Sequence, residues 1–169
     1  MQDKDILDKK DFSKAVSMLP LISIDFCIVF EKKILLGRRN NEPAKDYLFT
    51  PGGRIRKNES FNNALIRIYY DELNMRLSNT EEFFFMGIWD HFYSKSAFDE
   101  DISTHYINIP YLQLISKLDY EKLHLVGDKS QQHSKYEWFN VYNLSNTSFK
   151  IHDYTLEYLR SPILRNYLN

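Results

Sequence analysis

The reading of this chain turns on one stretch, PGGRIRKNESFNNALIRIYYDEL at residues 51–73. Gly52 and Gly53 stand where a short strand runs out and a helix is about to begin. Glycine at such a junction lets the backbone approach a ligand or metal closely; an ordinary turn is the alternative. Phe61, Ala64, Leu65 and Ile68 then recur at i, i+3, i+4 and i+7, which predicts a helix over Ser60 to Leu73. Asn58 or Ser60 is placed to cap it. On a wheel turning ~100° per residue, Glu72 falls about 20° from Phe61, on the apolar face with Leu65 and Ile68. A carboxylate withdrawn from water needs a partner. A divalent cation supplies one, because hard cations choose carboxylate oxygen; a helix-end salt bridge is the competing reading. Asp71 lies ~80° off the apolar centre and four residues after Arg67, the spacing of a surface ion pair, with an outer-shell metal role as the alternative.

Upstream, residues 21–30 alternate with period two. Ile22, Ile24, Phe26, Ile28 and Phe30 share one face, and Ser23, Asp25, Cys27 and Val29 the other. Ile34 to Gly37 returns as a second strand, and Tyr47 to Thr50 runs into the glycines. A short N-terminal helix ends near Met18, before Pro20. Downstream, Glu81 to Tyr93 and Ser103 to Leu114 read as two long strands, and Tyr136 to Tyr142 as another. Tyr154 to Leu168 reads as a closing helix interrupted near Pro162. Strands that dominate without regular βαβ alternation predict an α+β class, a mixed β-sheet core flanked by helices.

A length of 169 residues predicts a single domain over 1–169. Hydrophobic residues at 43% and aromatics at 15% suit a packed core and exclude disorder. A net charge of -1 offers no field for nucleic acid, so an anionic ligand must be held by local charge. The single cysteine, Cys27, excludes an internal disulfide and fits a reducing, cytoplasmic setting. No apolar run reaches the ~18 residues that a membrane span needs, so no membrane partner is expected.

Gly53, Glu59, Arg67 and the pair Asp71-Glu72 resemble, in their spacing, the signature of the Nudix hydrolases. The chain departs from that pattern at Ile68 and Asp71, where the family has Glu, and at Asn74, where it has Gly. Residues 20–26, 35–39, 51–54, 89–93 and 104–106, with Gln132-His133 ahead of Tyr136-Glu137-Trp138, are similar in the same order to the GDP-mannose mannosyl hydrolase branch. The resemblance implies a Nudix fold with its strand-loop-helix-loop catalytic motif, Mg²⁺ (or Mn²⁺) as cofactor and a homodimer. It also implies a nucleotide-sugar substrate, GDP-mannose or a relative. Water attacks the anomeric carbon with inversion, and GDP and the free sugar leave.

The same resemblance implies roles. The Gly52 carbonyl, Glu72 and Gln132 hold the metal. His133 is the general base. Arg39 and Arg54 clamp the diphosphate, in keeping with the bidentate match of guanidinium to phosphate. Tyr106 donates to a phosphate oxygen. Asp25 and His91 contact or orient the sugar and the clamp, and Phe12 lies near the base. Each has a plainer alternative. Gln132 and His133 are then loop residues, Asp25 a strand-edge charge, His91 part of a packed aromatic cluster, and Phe12 a helix anchor. Arg38 and Lys57 read as solvated charges, and His105 as structural. The run Phe83-Phe84-Phe85 is core, interface or pocket wall. Two other functions compete: a pyrophosphohydrolase attacking phosphorus, and a catalytically silent module that binds a sugar nucleotide.

Overall fold

The computed structural model describes residues 7–40, 44–77, 82–97, 99–125, 133–144 and 147–168. The order of elements is α1 (Lys9–Val16), β1 (Leu21–Phe30), β2 (Lys33–Arg39), β3 (Leu48–Phe49), β4 (Gly52–Arg54), α2 (Phe61–Leu73), β5 (Phe83–Phe85), β6 (Trp89–Tyr93), β7 (Thr104–Leu114), α3 (Lys117–Leu125), β8 (His133–Asn140), α4 (Asp153–Arg160) and α5 (Pro162–Leu168). The strands form one mixed sheet, the α+β architecture expected.

β1 is its spine. It pairs in parallel with β7 along Leu21 to Val29. Its other edge is shared: β4 takes Ser23 to Asp25, and β2 takes Val29 and Phe30. The two partners diverge, which opens the sheet beside Asp25. Even-numbered residues Ile24, Phe26 and Ile28 pack against α2, with Ala64, Leu65, Ile68 and Tyr69. Odd-numbered Cys27 and Val29 pack on the opposite face with Tyr158 of α4 and Leu164 of α5. Both faces of β1 are therefore covered, and it is buried from Ser23 to Val29.

Ser60 caps α2, its side chain accepting from the Asn63 amide at 3.3 Å. Asn74 ends α2 in the left-handed conformation, which a short polar side chain tolerates. The reading of one strand from Glu81 to Tyr93 is corrected. Gly87, at φ +124°, breaks it into β5 and β6, and both still pair with β7; Glu81 lies outside the described residues. The strand read at Tyr136 to Tyr142 runs instead from His133 to Asn140. The sequence reading missed α3. Its signal is local: Ser116 Oγ accepts from the Asp119 amide at 3.2 Å and donates to that residue's carboxylate at 2.8 Å. That is a serine N-cap, tightened by a side-chain bond to the same aspartate. No helix among the described residues is long and apolar enough to cross a membrane.

Candidate active site

The glycine stretch is a strand and not only a turn. The Phe26 amide donates to the Pro51 carbonyl at 2.8 Å, and the Ile55 amide to the Ile22 carbonyl at 3.0 Å. In an antiparallel ladder hydrogen-bonded and non-bonded pairs alternate. Asp25 and Gly52, which face each other, therefore form a non-bonded pair, and the Gly52 carbonyl turns away from β1. A Cβ at Gly52 would lie 2.2 Å from Asp25 Oδ1 and 2.6 Å from the Ile24 carbonyl oxygen, so no other residue fits. Gly53 rests on Ile68, which fills core space where the family signature has an acid.

Arg67 braces this loop from α2. It meets Glu59 through two bonds, at 2.6 and 2.8 Å, and donates to the Arg54 carbonyl at 2.9 Å. Arg67 holds the Glu59 carboxyl below its usual range, through hydrogen bonding first. Asp71 makes the i,i+4 pair with Arg67 at 3.2 Å on the exposed side. Glu72 faces inward as the helical wheel requires, 7% exposed. Tyr136 of β8 donates to its Oε2.

Asp25 is 6% exposed, and burial drives its carboxyl up to about 6. Hydrogen bonds from Tyr158 and Asn108 and the charge of Arg39 pull the other way, while nearby Glu72 adds to the rise. Arg39 ends β2 with its guanidinium over the Phe49 ring at 5.6 Å. Its Nε is buried with no hydrogen-bond partner among the described residues, which an anionic ligand would correct. Arg54 stacks on Phe12 of α1 at 4.1 Å. Burial pushes the Tyr106 hydroxyl up in pKa, against the pull of Arg54 and then Arg39. By register Arg54, across from Ser23, and Tyr106, across from Leu21, lie on the same face of the sheet as Asp25.

His91 is 2% exposed and stacked flat on Tyr154 at 3.8 Å. Burial lowers its pKa to about 3, so the ring is neutral. It sits across from Tyr106 in the β6–β7 register and reaches Tyr158 Oη with Nε2 at 3.1 Å. His133 was read as a loop residue; it is the first residue of β8, paired with Arg39, because β8 extends further along β2 than its apolar pattern shows. The His133 side chain and the whole of Gln132 lie outside the described part of the chain. His105 faces outward, stacked on Phe92 with Nε2 3.0 Å from Asp90. The Phe83–Phe85 run is at the far end of β7, lining a groove of about 510 Å³ with Ile163, Asn166 and Tyr167, away from the arginines. Arg38 is exposed and bonded to Asp46 at 2.7 Å.

Sequence reasoning missed Tyr154, Tyr158 and His152. All three come from α4 or its N-cap and pack against His91 and Tyr93. Tyr154 and Tyr158 are one helical turn apart, a spacing that on its own reads as core.

The arrangement has known counterparts. The family model described as NUDIX domain matches residues 21–159. A curated relative, the low-salt glycan biosynthesis protein Agl8 of Haloferax volcanii, is 36% identical over 97 residues. That match covers 57% of this chain and 60% of the relative, so the chain spans under two thirds of its length. Among solved structures, a MutT NUDIX hydrolase from Burkholderia pseudomallei is 19% identical at TM-score 0.62, covering 85% of this chain and 98% of that one. The NUDIX domain of Shewanella oneidensis NrtR, complexed with ADP ribose, is 15% identical at TM-score 0.62 and covers 95% of this chain and 99% of its own.

Proposed function

The chain belongs to the NUDIX domain family, and on that premise we propose that it hydrolyses a GDP-sugar, GDP-mannose or a close relative, to GDP and the free sugar. The observation that carries this reading is the placement of Arg54 and Tyr106 on the sheet face of Asp25, with the Arg39 Nε buried and unpartnered among the described residues and Glu72 as the one acid that α2 turns inward. Asp71 is spent on Arg67 and Ile68 on the core. Few acids on α2 suit a reaction in which the protein clamps a leaving diphosphate and activates one water. The glycan-biosynthesis relative agrees with a sugar-nucleotide substrate.

The donors fit a hard divalent cation, Mg²⁺ or Mn²⁺. The Glu72 carboxylate and the outward-turned Gly52 carbonyl would be its oxygen ligands, and Gln132 would complete the set by resemblance. Bound there, the cation would offset the charge of the departing diphosphate. Arg39 and Arg54 would bind the phosphate oxygens, and Tyr106 would donate its hydroxyl to one of them. Asp25 orients the sugar. His133 takes the proton from a water that attacks the anomeric carbon. The bond from that carbon to the phosphate oxygen breaks, and its electron pair leaves with GDP. No proton need reach so acidic a leaving group, unlike the alcohol expelled in ordinary glycoside hydrolysis.

Hydrolysis of GDP-mannose in ¹⁸O-water with Mg²⁺ tests this. The label is expected in the sugar, and the first sugar seen by NMR should have the inverted anomeric configuration. Label in a phosphate would instead mean attack at phosphorus. Tight binding with no product would mean a silent module.

A further inference from the structure

The proposed reaction leaves unexplained a buried hydroxyl that joins Asp25 to His91 and Asn108. Tyr158 of α4 has 0% of its surface exposed. Its Oη lies 2.8 Å from Asp25 Oδ2, 2.8 Å from Asn108 Oδ1 and 3.1 Å from His91 Nε2. The Asn108 amide is oriented by its other end, where Nδ2 donates to Ser23 Oγ at 2.8 Å. Its oxygen is therefore an acceptor facing Tyr158. A phenol has one proton and two lone pairs. In the tautomer whose Nε2–H donates to the phenol oxygen, that proton serves Asp25 and Asn108 between them, and every group at the junction is engaged. The two oxygens of Asp25 are thereby separated. Oδ2 is tied to the buried side, and Oδ1 lies along Gly52, on the edge where β2 and β4 diverge.

We infer that Tyr158 is a positioning residue for the sugar half of the site. By holding Asp25 Oδ2 it aims Oδ1 past Gly52 at the sugar, which makes α4 part of the functional machinery and not only a cover for the core. This rests on the reading of Asp25 as the residue that orients the sugar. The phenol ring has its own packing, edge-on to Trp89 at 5.4 Å, so removing the oxygen alone leaves the core filled.

The test is Tyr158→Phe, alone and with Asp25→Asn. The single variant should lower kcat on GDP-mannose about 10-fold, as loss of an orienting partner typically does, and leave GDP affinity unchanged. In the Asp25→Asn background the same change should have almost no further effect. Additive losses, or an unchanged kcat, would overturn the inference. If Tyr158→Phe fails to fold, Asn108→Asp takes its place. A carboxylate there draws the phenol proton from Asp25 and should lower kcat at constant GDP affinity, and full activity would refute the inference. If the wild-type protein does not hydrolyse GDP-mannose, the proposed reaction fails separately. The ¹³C carboxyl resonance of Asp25 still reports the bond: it should move in Tyr158→Phe, and an unmoved resonance rejects the positioning role.

Discussion

Two halves of one site meet at Gly52, and they are built in opposite ways. The half on β4 and α2 is continuous in sequence. Its glycines, its Arg67–Glu59 brace and its inward Glu72 fall within 23 residues, each placed by helical period or by strand register. The half under α4 is assembled from four distant segments. Tyr158 and Asp25 bond across 133 residues, and Tyr158 and His91 across 67. The first half handles charge, with carboxylate and guanidinium groups at its surface. The second sets one carboxylate, Asp25, among hydroxyls, an amide and a neutral imidazole that fix its geometry. The contrast teaches that the charge-bearing parts sit on local, rigid elements, whereas orientation depends on how the C-terminal helix docks.

The largest expected effect tests the first half. Glu72→Gln removes charge from the proposed metal ligand and keeps the shape. Activity should fall about 10² to 10³-fold, roughly 3 to 4 kcal/mol, with a raised Mg²⁺ activation constant. Mn²⁺ binding followed by electron spin resonance should weaken in parallel. An unaltered activation constant would remove Glu72 from the metal and break the contrast between the halves.

The next effect tests the seam. Gly52→Ala forces a methyl group to within 2.2 Å of Asp25 Oδ1, so β4 and β1 must separate. Overpacking of this kind costs about 3 kcal/mol. Chemical denaturation should show that loss, and Gly53→Ala, which meets the Ile68 Cγ2 methyl at 3.1 Å and no backbone among its nearest atoms, should show less. Equal losses would mean that the seam is no tighter than its surroundings.

The second half predicts a pH signature. His91 titrates near 6.5 unfolded and is held down to about 3 when folded. As pH falls below 6.5 the unfolded chain takes up this proton first, so stability present above that value is lost. His152, held down to about 4, acts the same way, and Asp25, raised to about 6, opposes both. Comparing wild type with His91→Phe isolates one proton. The wild type should lose about 1.4 kcal/mol per pH unit relative to the variant below pH 6.5. Parallel stability curves would show that His91 is not held neutral.

Legibility divided along the same seam. The cap at Ser60, the inward turn of Glu72 and the Asp71–Arg67 pair followed from spacing, because a helix converts spacing into direction. Period two gave β1, yet the strand is covered on both faces, so alternation could not say which residues meet α2 and which meet α4. The break at Gly87 was hidden because aromatics flank it on both sides and the glycine's positive φ is a property of its surroundings. Tyr154 and Tyr158 look like any amphipathic pair. Their meaning comes from His91 and Asp25, and no local rule links residues so far apart. The resemblance supplied Asp25 and His91 as candidates but nothing in α4, which lies beyond the residues that carry it.

The smallest effect concerns Phe12, which had two readings in the sequence: a stacking platform for the base, or an anchor for α1. The structure adds a third use, since its ring carries the Arg54 guanidinium at 4.1 Å. A cation–π contact of this kind contributes about 0.5 to 1 kcal/mol. Phe12→Ala should therefore raise KM about 2- to 5-fold with kcat nearly constant, because Arg54 loses its support before substrate arrives. The support acts on the diphosphate, so GDP-, ADP- and UDP-sugars should weaken alike, and Phe12→Leu should recover little, having no ring face. A loss confined to the guanine nucleotide would put the base against Phe12 instead. The aromatic ring would then belong to substrate recognition, and Arg54 would have to be held by the α2 half alone, through the backbone that Arg67 grips.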